Sequence, residues 1–194
     1  MFIQTEQTPN PATLKFLPGR EVLGAGGAVD FSAPEEAQGK SPLAEALFDV
    51  EGVTGVFLGG DFISVTKADE KEWYVLKPSV LGAIMQHFTA GRDVMAAGAE
   101  GAGGEAGAEE ETRYDEADSQ IVGQIKELLD TRVRPAVAQD GGDIVFHGFE
   151  QGVVYLTMRG ACAGCPSSTA TLKMGIENML RHYIPEVTEV RAAG

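Results

Sequence analysis

The sequence lacks the features that mark membrane-spanning and nucleic-acid-binding proteins. No run approaches the roughly 18 uninterrupted apolar residues that a membrane helix needs, so we predict no membrane partner. An excess of basic residues is also missing. The formal net charge is −14, which disfavours nucleic acid because phosphate binding depends on positive charge. With 194 residues, 43% of them apolar, the chain is long enough to bury a core.

The first residues lack the marks of a targeting signal. The stretch MFIQTEQTPNP has neither a basic region followed by an apolar run nor the Arg- and Ser-rich composition of a transit peptide. From this we predict a soluble protein that stays in the compartment where it is made.

Cysteine is scarce, with only Cys162 and Cys165 in the chain. Two thiols three positions apart are too few for a secreted disulfide scaffold, and an untargeted protein is expected in a reducing compartment. The two thiols are therefore predicted to bind a metal or to be redox-active.

Packable side chains are absent from residues 98–111, which are all Gly, Ala or Glu. Glycine disfavours a helix here, so we predict a flexible linker over residues 98–113. It would join two small mixed α/β domains, residues 1–97 and 114–194. The predicted fold class is α+β.

The N-terminal domain has short strand signals and two helix signals. FIQTEQ and TLKFLPG are predicted strands separated by two prolines, and VTGVFLGGDFISVTK is a predicted hairpin with Gly59 and Gly60 available for positive φ. Helices are expected after Ser41-Pro42 and Lys77-Pro78. In the second helix the predicted apolar stripe is Leu81, Ile84, Met85 and Phe88.

The C-terminal domain is predicted to run helix, hairpin, helix and short strand. The first helix begins at Ser119 as its N-cap, is kinked or ended by Pro135, and stops at QDGGD. DIVFHGF and GVVYLTMR form the hairpin, and the second helix opens at Pro166. The buried stripe of that helix is predicted to be Leu172, Ile176, Met179, Leu180 and Tyr183.

Cys162 and Cys165 lie in GACAGCPSS, between the predicted strand and helix. A helix N-terminus favours thiolates, and small neighbours leave room for a bulky anionic group. Zinc sites and iron-sulfur clusters each need four ligands, so two copies of the chain could share one site across a two-fold axis. On spacing alone, a thioredoxin-like redox pair is equally supported, and a zinc-bridged dimer stays open.

Other polar residues are weaker candidates. His147 lies in a predicted strand, and His182 is about 25 Å along the helix from Cys165, so neither is expected to be a ligand. Asp140 and Asp143 flank two glycines and are interpreted as turn and helix-stop residues rather than an acid-base pair. We find no catalytic triad and predict no enzyme activity.

The stretch from Arg134 to Val187 resembles the NifU-like domain of the Nfu family of iron-sulfur scaffold and carrier proteins. The resemblance is carried by Arg134-Pro135, the DGGD turn and GACAGCPSS, in that order. The N-terminal half resembles the family's own N-terminal domain through TPNPATLKF, GVTGVFLGGDFISVTK, Trp73 and LKP.

This resemblance implies a non-enzymatic protein that holds a 4Fe-4S cluster between two subunits and hands it to apo-proteins such as aconitase-like or lipoate-synthesis enzymes. Cys162 and Cys165 are the implied ligands. A 2Fe-2S cluster, the identity of the clients and the upstream donors stay open. The N-terminal domain is expected to recognise clients or partners. Because mitochondrial members carry a presequence, the resemblance points to a bacterial cytoplasmic protein that is a homodimer when loaded.

Overall fold

A computed structural model describes residues 1–24, 27–97, 114–162 and 166–192, with the side chains of residues 166–169 outside the description. The chain divides into two compact units, Met1–Ala106 and Gly107–Gly194. The predicted α+β class with two domains is confirmed. The predicted linker, residues 98–113, lies outside the described residues, so its flexibility and the domain limits drawn from it stay predictions.

The N-terminal unit is a five-stranded antiparallel sheet with helices. The sheet order is β1-β2-β5-β4-β3. Its strands are β1 Gln4–Gln7, β2 Thr13–Leu17, β3 Val29–Phe31, β4 Val53–Leu58 and β5 Ile63–Lys67. The helices are α1 Pro34–Ala37, α2 Pro42–Phe48 and α3 Trp73–Thr89. The core includes the fully buried side chains of Phe16, Leu43, Leu47, Leu58, Ile63 and Ile84.

The predicted hairpin is confirmed as β4 and β5, but the expected role of its glycines is wrong. Neither Gly59 nor Gly60 has a positive φ. Glycine is required at both positions because a side chain would not fit there. A Cβ on Gly59 would clash with the ring of Phe62, and one on Gly60 would lie 2.7 Å from the carbonyl oxygen of Gly24. The turn therefore depends on close packing rather than on left-handed backbone.

Helix α3 begins at Trp73, so the prediction that it follows Lys77-Pro78 is wrong. The indole of Trp73 donates a hydrogen bond to the carbonyl of Pro11 at 3.1 Å, and its ring packs edge-on against Phe16. This anchoring stabilises a first turn ahead of Pro78, although the proline removes one helical hydrogen bond. The prediction that Met85 belongs to the buried stripe is wrong, because its side chain is 43% exposed. The buried residues are Leu76, Val80, Ile84, His87 and Phe88.

The C-terminal unit follows the predicted order of helix, hairpin, helix and short strand. A 3-10 turn, Glu116–Asp118, leads into α4 Ser119–Leu128, a π-helical stretch Leu129–Val133 and α5 Arg134–Gln139. Strands β6 Gly142–Glu150, β7 Val153–Gly160 and β8 Glu189–Ala192 make the sheet, with α6 Pro166–Tyr183 between β7 and β8. β6 and β7 are antiparallel, and β8 pairs parallel to β7.

Local signals set the boundaries of the C-terminal unit. The expected interruption near Pro135 is the π-helical stretch, after which Pro135 lies in the first turn of α5. Gly141 ends α5 with φ +79°, and the β6-β7 turn uses left-handed backbone at Gln151 and Gly152. Tyr183 was predicted to be buried, which is wrong, since it is 48% exposed at the last turn of α6. Within the described residues, no helix combines the length and the apolar composition needed to cross a membrane.

A buried histidine should make the N-terminal unit sensitive to acid. His87 is 3% exposed and packs edge-on against Phe88. Burial, with help from the positive charge of Arg92, lowers the pKa of His87 below its ordinary value of 6.5. The unfolded chain therefore binds a proton that the folded unit resists. The free energy of unfolding of the N-terminal unit therefore keeps its full value above pH 6.5. It decreases as the pH falls from 6.5 toward the lowered pKa of His87 in the folded unit.

We expect the thermal midpoint of this unit to fall by a few degrees between about pH 7.5 and 5.5, measured by the fluorescence of Trp73. The control is His87→Gln, which cannot titrate and should show a shallower dependence on pH. Equal slopes for the two proteins would contradict the prediction.

Candidate metal centre

Cys162 lies just after the end of strand β7, as predicted. The strand ends at Gly160, which has φ +66°, and α6 begins at Pro166. Cys162 is 5% exposed and belongs to the apolar core of the C-terminal unit, which we did not expect. Cys165 lies outside the described residues. That the two thiols lie side by side therefore stays a prediction.

The turn between α5 and β6 packs directly against the residues that lead to Cys162. The backbone N–H of Ala161 donates a hydrogen bond to the carbonyl of Gly141 at 3.2 Å, and Gly142 pairs with Gly160 across the hairpin. A Cβ added to Gly142 would lie 2.8 Å from the Sγ of Cys162. Gly142 thus allows the close approach of Cys162.

A partly buried ion pair lies beside this turn and was missed by the sequence analysis. Arg134 donates from Nε to Oδ1 of Asp143 and from Nη2 to Oδ2, both at 2.9 Å. A weaker contact joins its Nη1 to Asp130 at 3.4 Å. Asp143 is therefore not the turn residue that we predicted. It is a strand residue, 6% exposed, whose charge is matched by a helix residue.

The ion pair connects α5 to the end of the hairpin that leads into the cysteine loop. Asp143 is aligned with Arg159 in the β6-β7 register. Its hydrogen bonds raise the pKa of Arg134, so the guanidinium stays charged. The only signal in the sequence was that Arg134 and Asp143 have opposite charges and are separated by the end of a helix and a Gly-Gly turn. Without the hairpin register, nothing indicated that the two would meet.

The two histidines considered as ligands lie on separate elements, His147 in β6 and His182 near the end of α6, where its ring packs edge-on against Tyr183. In the part of the chain that the structure describes, no group of three or more His, Cys, Asp or Glu side chains could hold a metal ion.

Two protein-family models match the chain in tandem. The model described as the N-terminal domain of the scaffold protein Nfu/NifU matches residues 3–91, and the NifU-like domain matches residues 125–191. The chain belongs to the Nfu family. It carries both domains of that family in the predicted order.

Relatives of this Nfu protein include two that are named "NFU1 iron-sulfur cluster scaffold homolog, mitochondrial", from Drosophila virilis and Drosophila sechellia. Each is 52% identical over 190 residues, which is 98% of this chain and 61% or 64% of the relative. The solution structure of a NifU-like protein from Saccharomyces cerevisiae is 28% identical over 49% of this chain and 84% of that one, with a TM-score of 0.44.

The predicted bacterial cytoplasmic location is wrong. The relatives at 52% identity are named as mitochondrial proteins. Our prediction relied on how the chain begins, but the chain spans less than two thirds of the length of those relatives. Its first residues are therefore no evidence about a leader sequence.

Proposed function

We propose that this Nfu protein is an iron-sulfur scaffold and carrier that binds a 4Fe-4S cluster between two copies of the chain and transfers it to apo-proteins. The observation that carries the proposal is the NifU-like domain, which contains both cysteines of the chain. The names of its relatives support an iron-sulfur scaffold role. Cys162 and Cys165 are the proposed ligands.

The number of thiols supports a site shared by two chains. A cluster held by thiolates takes four, and one chain has two. In a two-fold dimer whose axis passes beside this loop, the same loop of the second copy would supply the missing pair. A cluster held by two loops, rather than enclosed by one chain, is suited to release. This favours transfer over storage, and we propose no catalytic role for the chain.

The position of the loop supports thiolate ligands. Cys165 directly precedes Pro166, the first residue of α6, where the positive end of the helix dipole favours a negative sulfur. Cys162 is buried in the described structure, so as a ligand of a cluster shared with a second chain it would have to change position. The N-terminal unit, with Tyr74 80% exposed on the first turn of α3, is proposed to recognise clients or cluster donors.

Anaerobic reconstitution with iron and sulfide tests the proposal. We expect about four irons and four sulfides per two chains, a brown protein, and a dimer by size-exclusion chromatography. Cys162→Ser and Cys165→Ser should each reduce the iron content by about tenfold, because each removes two of four ligands from the dimer. His182→Gln, a change at a histidine far along α6, should leave the iron content unchanged.

Each alternative has its own result in the same experiment. One zinc per two chains without colour would identify a zinc-bridged dimer. Disulfide reductase activity without iron uptake would identify a thioredoxin-like protein. About two irons per two chains would replace the 4Fe-4S cluster by a 2Fe-2S cluster. A monomer that binds four irons, or a cysteine variant that keeps them, would refute the shared site.

A further inference from the structure

The described position of Cys162 is sheltered, whereas the proposed function requires its thiol to meet a metal shared with a second chain. The residue is 5% exposed and packs within the apolar core of the C-terminal unit. A ligand to a metal that is also bound by a second chain must reach the surface of its own chain. If the proposed function holds, the Cys162 side chain has this sheltered position and a second, exposed one.

Gly142 creates the space that the sheltered thiol occupies. A Cβ at this residue would lie 2.8 Å from the Sγ of Cys162, 2.7 Å from the carbonyl oxygen of Arg159 and 3.2 Å from the Cys162 backbone nitrogen. Unlike Gly141, Gly142 does not have a positive φ, and it lies in strand β6. Its backbone conformation is open to any residue, so the lack of a side chain is needed only for close approach.

We propose that Gly142 is a positioning residue that shelters the Cys162 thiol in the metal-free protein. We name the space between Gly142, Arg159 and Cys162 the thiol seat. In the seat the sulfur is protected from solvent and from reagents, and it leaves the seat to act as a ligand. The departure of the sulfur from the seat rests on the proposed function, whereas its protection in the seat concerns the metal-free chain alone.

The accessibility of one thiol tests the seat directly. The full chain with Cys165→Ser has Cys162 as its only thiol. Its rate of alkylation by iodoacetamide is measured in native buffer and in urea. We expect the native rate to be at least about tenfold slower, since the buried thiol reacts only after local opening. Adding Gly142→Ala should raise the native rate several-fold, because the new methyl group lies too close both to the sulfur and to the Arg159 carbonyl for the seat to keep its shape.

Gly175→Ala in the same Cys165→Ser chain is the matched control. It lies in α6 of the same unit, and a Cβ there meets nothing within 4 Å. It should leave the alkylation rate at the parental value. Far-UV circular dichroism checks that each variant is folded. If Gly142→Ala prevents folding, comparing the alkylation rates of the Cys165→Ser chain in native buffer and in urea still shows whether the Cys162 thiol is sheltered.

The possible results distinguish a failure of the seat from a failure of the proposed function. A native rate equal to the rate in urea overturns the seat, and so does a folded Gly142→Ala chain that reacts no faster than the Gly175→Ala chain. A protected thiol that Gly142→Ala exposes supports the seat. If the thiol is protected in this way but the unaltered chain, which has both cysteines, takes up no iron, the proposed function fails while the seat stands.

Discussion

Asp143→Ala is expected to lower the free energy of unfolding of the C-terminal unit by about 3 kcal/mol, because it leaves the Arg134 guanidinium without its bidentate partner. The Arg134 side chain is only 24% exposed, and its remaining contact, to the exposed carboxylate of Asp130, is longer at 3.4 Å. Water can reach part of the guanidinium, which places the effect at the lower end of the range for buried pairs.

Urea unfolding of the full chain, followed by circular dichroism, measures this change. Trp73 is the only tryptophan and lies in the N-terminal unit, so its fluorescence transition should keep its midpoint in the Asp143 variant. Glu189→Ala is the matched control in the same unit, because it removes an exposed pair with Arg191. It should change stability far less.

The double variant Arg134→Met, Asp143→Leu removes both charges of the pair, whereas Asp143→Ala leaves the Arg134 charge without a partner. Comparing them distinguishes the effect of losing the pair from the effect of leaving one charge unpaired. Because the double variant leaves no unpaired buried charge, it should recover much of the stability that Asp143→Ala loses. If Asp143→Ala proves no more harmful than Glu189→Ala, the pair is not a structural element of the site.

Leu180→Ala is the second change with a large expected effect, a loss of about 3 to 5 kcal/mol from the C-terminal unit. Leu180 is fully buried and belongs to the same core cluster as Ile125, Leu156 and Cys162. Truncation removes apolar contacts and leaves a cavity that a close-packed core fills only in part. The same urea experiment measures the loss.

Met174→Ala is the control for Leu180→Ala because it shortens an apolar side chain of the same helix that is 66% exposed. It should be nearly neutral. Helix α6 follows the cysteine loop directly, so its packing fixes one end of that loop. Similar losses from both variants would mean that α6 is not held by this core.

The elements that were predicted well are those with local signals. The β4-β5 hairpin and the β6-β7 hairpin follow from alternating apolar residues around turn residues, and the start of α6 follows from Pro166. The start of α3 was wrong because a long-range contact overrode a local rule. Trp73 is anchored to Pro11, 62 residues earlier, and this anchor allows the helix to begin ahead of its proline.

The amino-acid sequence by itself determined that the chain has two thiols, three positions apart, at a strand-to-helix connection. Composition and local spacing carry this information. Only the tertiary structure decided that Cys162 is buried against Gly142 and that Arg134 pairs with Asp143. These contacts depend on how α5 and the hairpin meet, and that geometry is set by strand register and core packing rather than by spacing along the chain.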